Sequence, residues 1–224
     1  AKCQKRIRVE KLTDEQGLQS YCIGKVSEMI KKHGKKLIGW DEIAEGGLVD
    51  GALVMSWRGT EGGIAAAKMG HEVIMTPGSH CYFDFYQGDP AGEPTAIGGY
   101  TPIEKVYDYE PVPDTLAVEY RPFILGAQGN VWTEYIADAA QAEYMAYPRA
   151  CALAEVLWTP PGLRKRADFF RRIVPHFERL DRLGVHYARS FYDVSGVARQ
   201  GQLELSCQDS QAVIRYTEDG QEPH

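Results

Sequence analysis

Apolar positions along the chain follow two periods. Residues 14–33 carry Leu18, Tyr21, Cys22, Val26, Met29 and Ile30 mostly at spacings of three and four, the signature of one helix face. Thr13 followed three residues later by Gln16 reads as a capping-box start, and Gly34 as a stop. Short apolar runs come next: Leu37-Ile38-Gly39-Trp40, Leu53-Val54-Met55-Ser56-Trp57, Glu72-Val73-Ile74-Met75 and the run opening at Phe123 and ending at Gly126. Runs of this length, closed by polar or turn residues, predict short buried strands. A helix through Ile64-Ala65-Ala66-Ala67-Lys68-Met69 separates the second run from the third. Apolar strands alternating with helices predict parallel pairing in an α/β fold.

A gap of residues 76–122 divides the third strand from the fourth. It is rich in Gly, Pro and Tyr, and one short helix is expected at residues 102–107. Loops this long are usually functional or disordered, and the aromatics Tyr82, Phe83, Phe85 and Tyr86 argue for order. Helical pattern resumes over residues 138–158, with a kink or break expected at Pro148. A further amphipathic helix spans residues 164–183, with Phe169, Phe170, Ile173, Phe177, Leu180 and Leu183 inward and a bend at Pro175. From about residue 191 the texture becomes alternating (Leu203, Leu205; Val213, Ile214, Tyr216), with a turn signal at Glu218-Asp219-Gly220. The expected organisation is residues 1–187 as one α/β domain and residues 188–224 as the start of a small β domain.

Composition narrows the function classes. A net charge of -6 over 224 residues gives no electrostatic case for nucleic-acid or anionic-membrane binding. No apolar run approaches the roughly 20 residues of a membrane span. Five cysteines without a C-x-x-C pair argue against a complete disulfide framework, and no Cys/His cluster has metal-ligand spacing, so no metal or cofactor is expected. The first residues, Ala1-Lys2-Cys3-Gln4, read as the middle of a longer protein.

The chemistry concentrates at strand exits. Trp40, Trp57 and Trp132 close or closely follow three of the four predicted strands, in a chain with only four Trp. In parallel α/β sheets ligands bind at the carboxyl ends of the strands. An indole offers a flat apolar face to a sugar ring, and carboxylates accept hydrogen bonds from its hydroxyls. The alternative is that all three are core residues, and the fourth, Trp158, is expected to be packing. Tyr82-Phe83-Asp84, if extended, would place the phenol and the carboxylate on one face with Phe83 behind. Asp41-Glu42 is read as structural: adjacent residues of an extended chain face opposite ways, and Glu42 could lie against Arg58 or Lys36. Ser79-His80 lacks a nucleophile elbow, and Gly59-Thr60-Glu61-Gly62-Gly63 lacks the Lys of a phosphate loop, so it is a turn.

Together Leu37-Ile38-Gly39-Trp40-Asp41-Glu42, Val54-Met55-Ser56-Trp57-Arg58-Gly59, Tyr82-Phe83-Asp84, Gly126-Ala127-Gln128-Gly129-Asn130-Val131-Trp132-Thr133-Glu134 and Tyr147-Pro148-Arg149-Ala150 resemble the β-N-acetylhexosaminidases of glycoside hydrolase family 20. The likeness runs over residues 12–183, and residues 214–220 resemble the start of a β domain that follows the barrel in some of these enzymes. It implies strands five to eight of a (β/α)8 TIM barrel with a short β appendage. It implies further that Trp40, Trp57 and Trp132 wall a pocket for a terminal N-acetylhexosamine. Tyr82 would hydrogen-bond the acetamide carbonyl, and Asp84 and Glu134 would hold ring hydroxyls. Members hydrolyse terminal β-linked GlcNAc or GalNAc with retention, the substrate's own acetamide acting as nucleophile.

One departure qualifies that expectation. The family's Asp-Glu acid pair, in a His-x-Gly-Gly-Asp-Glu motif at strand four, has no counterpart here, nor has the Arg that clamps the sugar. The sequence reads as beginning just after that pair, so the chain alone is expected to be inactive. Its expected partners are a glycan, the missing N-terminal half of the barrel, or a second copy in a homo-oligomer; the expected location is periplasmic or secreted. Two rival readings remain: a non-catalytic carbohydrate-binding module on a barrel scaffold, and a different retaining glycosidase using Asp41 or Glu42 as its acid.

Overall fold

A computed structural model describes residues 2–221. The chain forms two compact units, Ala1–Tyr82 with Glu110–Gln128, and Phe83–Tyr109 with Gly129–His224.

The first unit is built on a four-stranded, wholly parallel sheet. Its strands are β1 (Ile38–Trp40), β2 (Leu53–Ser56), β3 (Val73–Met75) and β4 (Ile124–Ala127), neighbours in chain order. All four match the predicted runs to within a residue or two. Helix α3 (Glu61–Lys68) crosses from β2 to β3, and the short α4 (Gly78–Cys81) follows β3. Between β1 and β2 the connection is a single 3-10 turn, Asp41–Ala44. Strand register separates the faces: Val54, Ser56, Val73 and Met75 are buried, and Gly63 of α3 lies so close to Met75 and Ser56 that a Cβ there would clash. The opposite face holds Ile38, Leu53, Met55, Ile74 and Leu125, of which Ile38 and Leu125 are largely exposed. Leu125 is the extra residue of a bulge, since Val73 pairs with Ile124 but Ile74 with Gly126. Gly126 takes φ +151, a conformation that L side chains rarely adopt.

Two helices precede the sheet. α1 (Lys2–Glu10) is mostly polar and buries only Ile7, which is why hydrophobic period did not announce it. α2 (Glu15–Lys31) is the predicted helix, with two corrections. Its N-cap is Asp14, whose carboxylate accepts from the Gly17 amide at 2.9 Å, in place of the Thr13–Gln16 box. Its apolar stripe is not its buried face: Val26 is 43% and Met29 61% exposed, and Cys22 is exposed, whereas Ser27 is buried. The helix lies instead on the loop before β2 through small and polar side chains. Ser20 donates to the Gly47 carbonyl, Lys31 to that of Asp50, and Gly24 faces Val49.

The second unit is mainly helical. α5 (Ile103–Tyr107) begins after Pro102 as expected. The long helical pattern is split at Pro148 into α6 (Ala139–Ala146) and α7 (Arg149–Trp158), because proline has no amide to continue the ladder. α8 (Arg166–Leu183) runs as one helix through Pro175 and ends on Gly184 at φ +69. Phe169, Phe170, Ile173, Phe177 and Leu180 are buried, but Leu183 is 75% exposed at the last turn. Trp158 is likewise no packing residue: at 88% exposure it projects from the end of α7. A core of Tyr107, Phe169, Phe170, Phe177, Tyr187 and Phe191 joins α5, α8 and the segment after it. The hairpin β5 (Ser195–Arg199) and β6 (Gln202–Ser206) follows, every residue of β5 exposed. Val213, Ile214 and Tyr216, whose alternation suggested strand, form none among the described residues, and residues 222–224 lie outside them. No described helix is long and apolar enough to cross a membrane.

Candidate functional site

In the first unit the exits of β1 and β2 are tied together. Asp41, 3% exposed, accepts from Arg58 Nε at 2.6 Å and from the amides of Trp57 and Arg58 at 3.2 and 3.3 Å. Arg58 Nη1 also reaches Glu45 at 2.5 Å, and the two carboxylates, Glu45 foremost, hold the guanidinium's pKa above its ordinary value. Glu42 accepts the Trp57 indole N–H with both oxygens, at 2.9 and 3.0 Å. The adjacent acids do diverge, but as members of a 3-10 turn and not of an extended strand. It is Asp41 that meets Arg58, while Lys36 pairs with Glu72 at 3.0 Å. Both acids fix neighbouring groups, the arrangement expected of structural residues and not of a proton donor.

Trp57, oriented by Glu42, stacks against Tyr82 with ring centroids 6.2 Å apart and planes 28° from parallel. Trp40, the last residue of β1, pairs in register with Met55. All three are half-buried. The first unit thus carries Trp40, Trp57 and Tyr82 on or just beyond strand ends.

The second unit carries Asp84, Trp132 and Glu134, and brings them together around one crevice, with Ala96, Ile97 and Met145, that is too tight to admit a water molecule. Phe83 is buried, as expected, but residues 83–84 form a turn and not extended chain. The Phe83 amide donates to the Asn130 carbonyl at 2.7 Å, and Gly129 lies against the Phe83 ring where no Cβ would fit. That contact sets the Asp84 turn beside the segment bearing Trp132 and Glu134. Asp84 is 5% exposed, and its Oδ1 has no hydrogen-bond partner. Burial raises its pKa most; its own amide and Arg149 oppose the rise, and Glu134 adds to it. Trp132, by contrast, is 39% exposed, so its indole faces outward more than a core residue would.

Two contributors were missed by sequence reasoning. Glu42 as the anchor of Trp57 left no local signal. Arg149 did: it falls on the buried stripe of α7 with Ala152, Leu153 and Val156, a charge at an apolar position of the period.

A wholly parallel sheet with indoles and a phenol at or beyond its strand exits defines an α/β domain. The comparisons resolve the class. Residues 1–161 match the glycosyl hydrolase family 20 catalytic domain. A β-hexosaminidase of Porphyromonas gingivalis is 54% identical over 186 residues, covering 83% of this chain and 24% of that protein. A β-N-acetylhexosaminidase of Cellulomonas fimi is 32% identical, covering 81% and 37%. Among solved structures, the exo-β-N-acetylglucosaminidase of Vibrio harveyi in complex with N-acetylglucosamine superposes with TM-score 0.72 at 28% identity, over 84% of this chain and 30% of that one. The chain belongs to glycosyl hydrolase family 20, the β-hexosaminidase glycosidases, whose barrel fold its parallel sheet shares. It spans about a quarter of the Porphyromonas relative and just over a third of the Cellulomonas one.

Proposed function

We propose that this chain is the sugar-binding half, strands five to eight, of an exo-acting β-N-acetylhexosaminidase barrel. Residues 1–187 are then barrel and residues 188–224 the start of an appended β domain. The parent enzyme removes terminal non-reducing β-linked GlcNAc or GalNAc with retention, the substrate's acetamide attacking its own anomeric carbon. Tyr82 orients the acetamide oxygen. Trp40, Trp57 and Trp132 present indole faces to the sugar and its methyl group, and Asp84 and Glu134 accept from ring hydroxyls. Glycans with such termini are met outside the cytoplasm, in keeping with a periplasmic or secreted protein.

The observation that carries the reading is Asp84. A buried carboxylate oxygen with no donor is costly. Here it lies in a closed crevice beside an indole and a second carboxylate, and the reading requires that crevice to open to a sugar hydroxyl that supplies the missing donor. The reading is tested with a chromogenic β-N-acetylglucosaminide: the full-length protein should release the chromophore, and the 224-residue chain, which carries no acid pair of the family's kind, should not. Turnover by the chain alone would sink the half-site assignment.

The exposed sheet face with Ile38 and Leu125, and the apolar stripe of α2, are surfaces that stable monomers cover. The rest of the barrel is the proposed cover, and a second copy substitutes for it in isolation. The separate chain is therefore expected to sediment as oligomers or aggregate at micromolar concentration. A single monomeric boundary with one cooperative melt would contradict this.

A further inference from the structure

Arg149 opens α7, and its side chain is wholly inaccessible to solvent. Nη1 donates to the carbonyls of Phe85 at 2.9 Å and Thr101 at 3.0 Å, and Nη2 to those of Phe83 and Met145. The guanidinium also lies over the Phe83 ring, 5.1 Å from its centroid. One planar cation thus gathers four carbonyls from three segments: the Asp84 turn, Thr101 two residues before α5, and the end of α6. Only a forked donor set can do this; an ammonium is a point charge that cannot span them.

The site of these bonds is specific. Phe83 and Phe85 flank Asp84, so the carbonyls on both sides of it are held by the same group. With those held, the direction in which the carboxylate leaves the backbone is fixed, independently of any partner of its own. Burying a guanidinium against neutral carbonyls is expensive, and desolvation pulls its pKa down to about 9 despite Glu93, Asp84 and Tyr144 nearby. A purely packing role would be filled better by an apolar side chain at this position of the stripe. We propose that Arg149 is a positioning residue: it locks the Phe83–Phe85 turn so that Asp84 is presented, preorganised, to the sugar hydroxyls. This rests on the hexosaminidase reading of Asp84.

The test is a double-mutant cycle in the full-length protein, with Arg149→Lys, Asp84→Asn and the pair. Arg149→Lys keeps the charge and loses the fork. Its KM for the chromogenic substrate should rise about tenfold, with kcat within about threefold, the split expected when binding shared by ground and transition states is lost. The pair should be no worse than Asp84→Asn alone, because Arg149 acts through Asp84. Losses that multiply, or an unchanged KM in a folded Arg149→Lys protein, would overturn the proposal. If Arg149→Lys fails to fold, Phe83→Leu, which removes the ring beneath the guanidinium, is put through the same cycle under the same criteria. A wild-type protein without turnover removes the hexosaminidase reading and this proposal together, whereas turnover that is lost in Asp84→Asn but indifferent to Arg149 or Phe83 removes this proposal alone.

Discussion

Replacing Tyr82 by Phe in the full-length protein is expected to lower kcat on a β-N-acetylglucosaminide by about 10²–10³-fold, the loss typical of one donor aimed at a reacting oxygen. The structure makes the substitution a clean one. Tyr82's ring rests on Trp57, and Trp57 is itself fixed by Glu42 through its indole N–H. Phe retains that stack, so the ring stays and only the hydroxyl goes. In the proposed reaction the acetamide oxygen is the nucleophile, and its angle of approach to the anomeric carbon decides how much of the barrier proximity removes. A hydroxyl that merely filled space would leave kcat within about twofold, and that result would remove Tyr82 from the reaction. Steady-state kinetics with the melting temperature of both proteins separate the two outcomes.

Phe177→Ala should be the most damaging single change to stability, at about 3–5 kcal/mol. Phe177 is 2% exposed, stacked on Tyr187 at 4.8 Å and 3°, with Phe191 at 5.5 Å and Tyr192 at 5.7 Å. Truncation leaves a cavity walled by three aromatics that cannot collapse inward without breaking their own contacts. Against a usual total of about 5–15 kcal/mol such a loss is severe. Leu183→Ala, six residues on along the same helix, should stay within about 0.5 kcal/mol because Leu183 is solvent-exposed. Urea midpoints of the two variants in the full-length protein decide the matter. Equal losses would mean that the aromatic core is not where the unit holds together.

The pair Phe177 and Leu183 also shows where sequence reasoning reached its limit. Both fall on the same helical stripe, and nothing local distinguishes a stripe that continues under cover from one that runs out of partners. α2 makes the point more strongly. Its apolar stripe was legible, yet the helix rests on Ser20, Gly24, Ser27 and Lys31. Trp158 was expected to pack and does not, and Val213, Ile214 and Tyr216 alternate without forming a strand. In each case the residue pattern was right and the surface that would use it was elsewhere.

What the sequence determined by itself was local: the four strands, the break at Pro148, and the placing of Trp40, Trp57, Tyr82, Asp84, Trp132 and Glu134 at or beyond strand ends. These follow from steric and hydrogen-bonding rules acting within a few residues. The tertiary structure alone decided which acid meets Arg58, that Glu42 holds an indole, that one buried oxygen of Asp84 has no donor, and that Arg149 carries the turn beneath it. Burial and pairing depend on groups 15 to 66 positions apart in the chain, and only the folded backbone brings those together.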